Sequence, residues 1–185
     1  VAETLAEFMD VLVEAQEDAI YVEVQNALMA AADSTVMPAA NKVAGGYKAE
    51  DLQRLVSIAK SYGGSATIFA SPEFVAAMGP DAIAPPATGV AGIYSPRDIE
   101  DIANTGRIRM FRGTPIVELR QSFLDENNAQ VMINPQFAYV LPSGKEKIVK
   151  VCMEGNTQMY DVVNPDQSIE IHTYRKIGVG ILAFN

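Results

Sequence analysis

Leu5, Phe8, Leu12, Ala15, Ala19, Ile20, Val24, Ala27, Leu28 and Ala31 recur mostly three or four residues apart, the interval that lines one side of an α-helix. Neither glycine nor proline interrupts them, so the spacing predicts one long helix from about Glu3 to Ala32. On the other side Glu3, Glu7, Asp10, Glu14, Glu17 and Asp18 follow at similar steps. Like charges four apart weaken an isolated helix by a few tenths of a kcal/mol per pair. Such a helix must therefore be held by its apolar side or by a basic partner. A solvated outer face is the commoner origin of an acidic stripe; a subunit interface through Glu3, Glu7, Asp10 and Glu14 is the alternative.

Beyond this helix, "DSTVMPAANKVAGG" reads as a loop broken by Pro38, Gly45 and Gly46. A second helix is predicted in "AEDLQRLVSIAKSYGG", with Leu52, Leu55, Val56 and Ile58 inward and Gly63 capping its end. Thr67 to Ala70 reads as a buried strand running into a short helix, with Ser71 as N-cap and Pro72 in the first turn. Ser95 and Pro96 repeat that device after the proline-rich loop "GPDAIAPPATG". From Arg107 the pattern turns to strands. Ile108 and Met110 alternate with Arg107, Arg109 and Phe111 and are expected to face inward, with Gly113 turning the chain into Ile116 to Leu119. Further strands are expected at Val131 to Leu141, Ile148 to Met153, Met159 to Val163 and Ile169 to Phe184, with "PSGK" and "EGNTQ" as turns. Helices come first and strands last without regular alternation, which makes the fold class α+β.

Composition narrows the function. With 49% hydrophobic residues in 185, the chain can bury roughly two-thirds of its unfolded surface. Its 23 acids against 14 bases give a net charge of −9, which opposes non-specific attraction to nucleic acid or an anionic membrane. The charge is uneven: before Lys42 there is no lysine or arginine but eight acids, while the remaining residues hold 15 acids and 14 bases. One cysteine and no basic-then-apolar leader argue against a secreted, disulfide-stapled protein. No apolar run is long enough to span a bilayer. A chain opening at Val1 leads to the expectation that an N-terminal portion was cleaved or omitted.

Candidate chemistry is sparse. His172 is the single histidine and falls opposite Ile169, Ile171 and Thr173 on a strand, with no legible triad or ligand cluster. Cys152 has no Cys or His beside it and reads as a structural thiol. Asp98, Glu100 and Asp101 follow Ser-Pro, where acids favour a helix dipole more often than they bind a cation. "GGYK" lacks the spacing of a phosphate loop. No catalytic, cofactor-binding or metal-ligating residue is assigned, and no cofactor is expected. "ANTGRIRMFRGTPIVEL", residues 103–119, places Arg107 and Arg109 on one face of a strand and Arg112 at a turn. Such a set pairs with carboxylates or touches phosphates; in so acidic a chain carboxylates are the expected partner.

A long acidic helix, a mixed region, "DIANTGRIRMFRGTPIVEL", strands near "AQVMINPQFAYVL" and a terminal "SIEIHTYRKIGVGILAFN" together resemble the major capsid protein of tailed bacteriophages, with its Hong Kong 97-like fold. The similarity runs from the helix to the terminus, that is, over the C-terminal portion including the spine helix. It implies a spine helix of a peripheral domain at residues 1–35 packed on an antiparallel sheet, a mixed α/β axial domain at 36–127, and return strands at 128–185. It implies a structural, non-enzymatic protein that self-assembles into an icosahedral head enclosing DNA, through hexamers and pentamers of itself. Scaffold, portal or decoration proteins would be further partners, without specific nucleic-acid recognition or membrane contact. The location would be the virion capsid, after assembly in the bacterial cytoplasm. An encapsulin-type compartment, and behind it a small hydrolase or metal-dependent enzyme, are the alternatives. Glu3, Glu7, Asp10, Glu14, Arg107, Arg109 and Arg112 are the candidate interface residues.

Overall fold

The computed structural model describes residues 5–79, 100, 104, 108–144, 147–166 and 168–182. The helix expected at Ser95–Pro96, the proline-rich loop before it, Glu3, Asp98, Asp101, Arg107 and Phe184 lie outside them. The fold is α+β, and the chain divides into two compact units: Val1–Ala31 with Val149–Leu182, and Ala32–Ile148 with Ala183–Asn185.

The first unit contains all but the last two residues of α1 (Leu5–Asp33), whose uninterrupted helical spacing fixes its length. Glu7, Asp10, Glu14 and Glu17 are exposed, while Leu12, Ile20, Val24, Leu28 and Ala31 reach only half-burial. Its other part is an antiparallel hairpin of β5 (Val149–Val163) and β6 (Ile169–Ile181). "EGNTQ" was expected to be a turn between two strands; it is instead an irregularity inside one. The pairs Glu154↔Lys176 and Gln158↔Tyr174 flank it, with Gly155 at φ 74° taking the left-handed conformation a side chain resists. The real turn is at 164–168. There the Asn164 N–H donates to the Ser168 carbonyl at 2.9 Å, and the Asp166 carboxylate accepts from the Ser168 N–H at 3.0 Å and hydroxyl at 2.7 Å.

The second unit is built on a four-stranded sheet in the order β2-β3-β1-β4. These strands are β1 (Ala66–Ala70), β2 (Met110–Phe111), β3 (Thr114–Glu118) and β4 (Ala138–Pro142). β1 runs parallel to β3 and antiparallel to β4. Alternation along β1 buries Ala66, Ile68 and Ala70. Against that face pack Leu52 and Val56 of α2 (Ala49–Gly63), Val75 and Met78 of α3 (Pro72–Met78), and Phe111. Each fully buried large apolar side chain contributes about 1.5–3 kcal/mol. Ser71 caps α3, its hydroxyl accepting the Phe74 N–H at 3.2 Å, with Pro72 at the start, as expected.

Three expectations shift here. Gly64, at φ 74°, rather than Gly63, terminates α2. Gly63 serves a different need, since a Cβ there would lie 2.6 Å from the Pro142 Cβ, so only glycine lets α2 approach the end of β4. Leu55 and Ile58 are half-buried, and Ala59 takes the inward place. Finally, the strand expected over 131–141 is confined to β4. Asn134 and Pro135 open a turn in which the Asn134 side chain accepts the Gln136 N–H at 3.0 Å. Before it, the Gln121 amide imitates a strand edge, donating to the Ile133 carbonyl at 2.7 Å and accepting the Ile133 N–H at 2.8 Å. This ties down buried Met132 and Ile133.

Candidate assembly interface

The arginine-rich stretch forms a two-residue hairpin. Phe111 pairs with Thr114 across Arg112 and Gly113, whose φ values of 46° and 77° give the doubly left-handed turn that matches strand twist. Gly113 turns the chain as expected. Met110 does not face inward: it is 55% exposed, whereas Phe111 and Thr114 are buried. The deepest apolar group sets the phase, and in a strand its neighbour must point the other way. Ile108 is partly buried against the core. Arg109 is exposed, and its carbonyl accepts the Ile116 N–H at 2.8 Å. Arg112 places its guanidinium carbon 5.0 Å from the centre of the Phe111 ring, a cation–π contact worth about 0.5–1 kcal/mol. Thus Arg109 and Arg112 share this hairpin, while Glu7, Asp10 and Glu14 belong to the other unit.

Phe111 pointing in leaves an apolar row on the opposite face of the sheet. Register places Met110 beside Pro115, and Phe69 between Val117 and Tyr139. Met110, Pro115 and Val117 are exposed, and Phe69 and Tyr139 are half-buried. Burial pushes the Tyr139 hydroxyl pKa up, and its oxygen is buried with no hydrogen-bond partner among the described residues.

The β5–β6 hairpin carries the larger uncovered surface. Pairing puts Val149, Val151, Met153, Ile177, Val179 and Ile181 on one face, continued by Met159, Val163, Ile169 and Ile171 beyond the irregularity. Val163 and Ile169 are 67% and 64% exposed, and every residue of β5 after Val149 is exposed. Arg175 shares this face, its Nη2 lying 2.7 Å from the Met153 Sδ. The other face is polar. It holds Lys150, Cys152, Glu154, paired to Lys176 at 2.6 Å, and an aromatic group of Tyr160, His172 and Tyr174. His172 is exposed, as expected, with Nε2 3.3 Å from a Glu170 carboxylate oxygen; Cys152 is exposed and free.

Alternation along a single strand does not say whether its apolar face is covered, so these surfaces are not legible strand by strand. The signal in the sequence is two alternating apolar runs, Val149/Val151/Met153 and Ile177/Val179/Ile181. Among the described residues no group of three or more His, Cys, Asp or Glu side chains could hold a metal ion. Nor is any described helix long and apolar enough to cross a membrane.

No curated protein and no solved structure matches the chain. One family model does, over residues 2–183, described as the SPbeta prophage-derived putative capsid protein YonB. With nearly its whole length matched, the chain belongs to this family of prophage-derived capsid proteins.

Proposed function

We propose that the chain is the shell-forming subunit of a tailed-phage or prophage head, self-assembling into an icosahedral container for DNA. The observation that carries this reading is the β5–β6 hairpin, whose apolar face is exposed at Val151, Met153, Met159, Val163 and Ile169 and only half-buried at Ile171, Ile177, Val179 and Ile181. A two-stranded ribbon is marginal alone in water, and contiguous exposed apolar surface marks an interaction site. Neighbouring subunits would supply the missing cover. In this reading α1 is the spine of a peripheral domain at residues 1–35, residues 36–127 are the axial domain and 128–185 the return strands, in a Hong Kong 97-like arrangement of which the chain is the C-terminal portion. Hexamers and pentamers of the chain are the assembly units, with scaffold, portal or decoration proteins as further partners. Glu3, Glu7, Asp10 and Glu14 on one side, and Arg107, Arg109 and Arg112 on the other, form contacts between subunits. Assembly takes place in the bacterial cytoplasm and the product is the virion capsid.

Electron microscopy of the full-length protein expressed with its neighbouring genes tests this directly. Closed, regular shells able to enclose DNA are expected. Shells that hold protein cargo and never DNA would favour a bacterial compartment, and a folded protein that forms no particles would remove the reading.

A further inference from the structure

β5 has a free outer edge: among the described residues it pairs with β6 alone. A long edge strand presents a row of unpaired backbone N–H and C=O groups, a template for another strand. What would seat there can be read from the strand itself. Turned antiparallel against a second copy about Cys152, the stretch Val149–Gly155 is self-complementary. Lys150 falls opposite Glu154 of the copy, and Glu154 opposite its Lys150. Val151 falls opposite Met153, and the two Cys152 face each other. Directly opposed residues of an antiparallel pair share a face. The apolar face of the hairpin therefore continues unbroken across the junction, and so does the polar one.

We infer that two copies of this chain join edge to edge through β5, antiparallel and centred on Cys152, making a four-stranded sheet from two hairpins. The inference deepens the proposed self-assembly and rests on it for its biological setting. Three observations fit this register. Glu154 is already held by Lys176 at 2.6 Å, so in the joined sheet it sits between two cations, Lys176 and Lys150 of the copy. Gly178 and Gly180, paired across β5 with Cys152 and Lys150, leave open space beside both. The irregularity beginning at Gly155 ends the regular edge where the self-complementary stretch ends. On β6, the equivalent arrangement centred on Thr173 sets Arg175 against Ile171 of the copy, a charge against an apolar side chain. β5 is the better edge.

Because Cys152 is the one cysteine of the chain, a short bis-maleimide, which adds one thiol at each end, reads this contact. Protein of this sequence kept reduced is expected to give a covalent dimer rapidly, and Cys152→Ser none. Lys150→Glu sets like charges against each other at both symmetry-related positions and is expected to slow crosslinking on the order of tenfold. The triple exchange Lys150→Glu, Glu154→Lys, Lys176→Glu reverses every sign while keeping every pair, and is expected to restore the rate. Should Lys150→Glu lower the melting temperature, Lys150→Gln replaces it and must slow the reaction by a smaller factor. No dimer from the wild type, or a rate indifferent to Lys150, overturns the inference. Regular shells without the crosslink would sink this contact and spare the shell reading; the crosslink without shells would do the reverse.

Discussion

Tyr139 shows what a single side chain reports in this molecule. It pairs in register with Phe69, yet its hydroxyl is buried without a described partner and held neutral to higher pH than usual by desolvation. An unmade buried hydrogen bond costs about 1–3 kcal/mol. Tyr139→Phe is accordingly expected to leave stability unchanged or raise it by about 1 kcal/mol in thermal melting. A clear loss would mean that the hydroxyl has a partner. A pKa raised by folding also means that any contribution from the neutral phenol is full below the ordinary tyrosine value and is lost as pH rises through the folded one. Gly63 makes the opposite case: space, not polarity, decides. With Pro142 2.6 Å from any added Cβ, Gly63→Ala is expected to cost about 1–3 kcal/mol as α2 is pushed from β4, seen as a lower melting temperature. Arg109 and Arg112 could be placed on the hairpin from sequence because Gly113 announces its turn. The outward side of Met110 could not, because Phe111 owes its buried position to Leu52, Val56 and Met78, residues distant in sequence.

At the scale of elements, α1 was legible because its signal is entirely local: helical spacing and no breaker. The irregularity in β5 was not. Gly155 and Asn156 are turn formers in either setting, and only the pairing of Glu154 with Lys176 and Gln158 with Tyr174 makes the stretch part of one strand. The polar turn at 164–168 offers a test of how the hairpin is held. Hydrogen bonds from the Ser168 hydroxyl and backbone N–H hold the Asp166 carboxyl below the usual carboxylate range. A depressed folded pKa means that the contribution is present above the unfolded value and is lost as pH falls through the folded one. Asp166 is therefore expected to titrate below ordinary aspartates by NMR, with the Ser168 amide signal moving in step. Asp166→Asn should abolish that movement, whereas an ordinary Asp166 titration would show that the turn does not depend on the charge.

For the whole molecule, the two units divide the work: a compact sheet-and-helix core in one, and a long helix with a hairpin exposed along β5 in the other. Exposed charges contribute only about 0–1 kcal/mol per pair to folding. Arg109→Glu should therefore melt like the wild type, and its cost should appear in assembly, where one contact repeats at every copy. Normal assembly of that variant would remove Arg109 from the interface, and a DNA affinity that falls with it would favour phosphate contact instead. The central claim, that this chain builds the shell, is tested most directly by counting. In particles purified from the induced prophage host, quantitative mass spectrometry is expected to find this chain more abundant than any other particle protein. If it is absent, or present in only a few copies per particle, the chain does not form the shell.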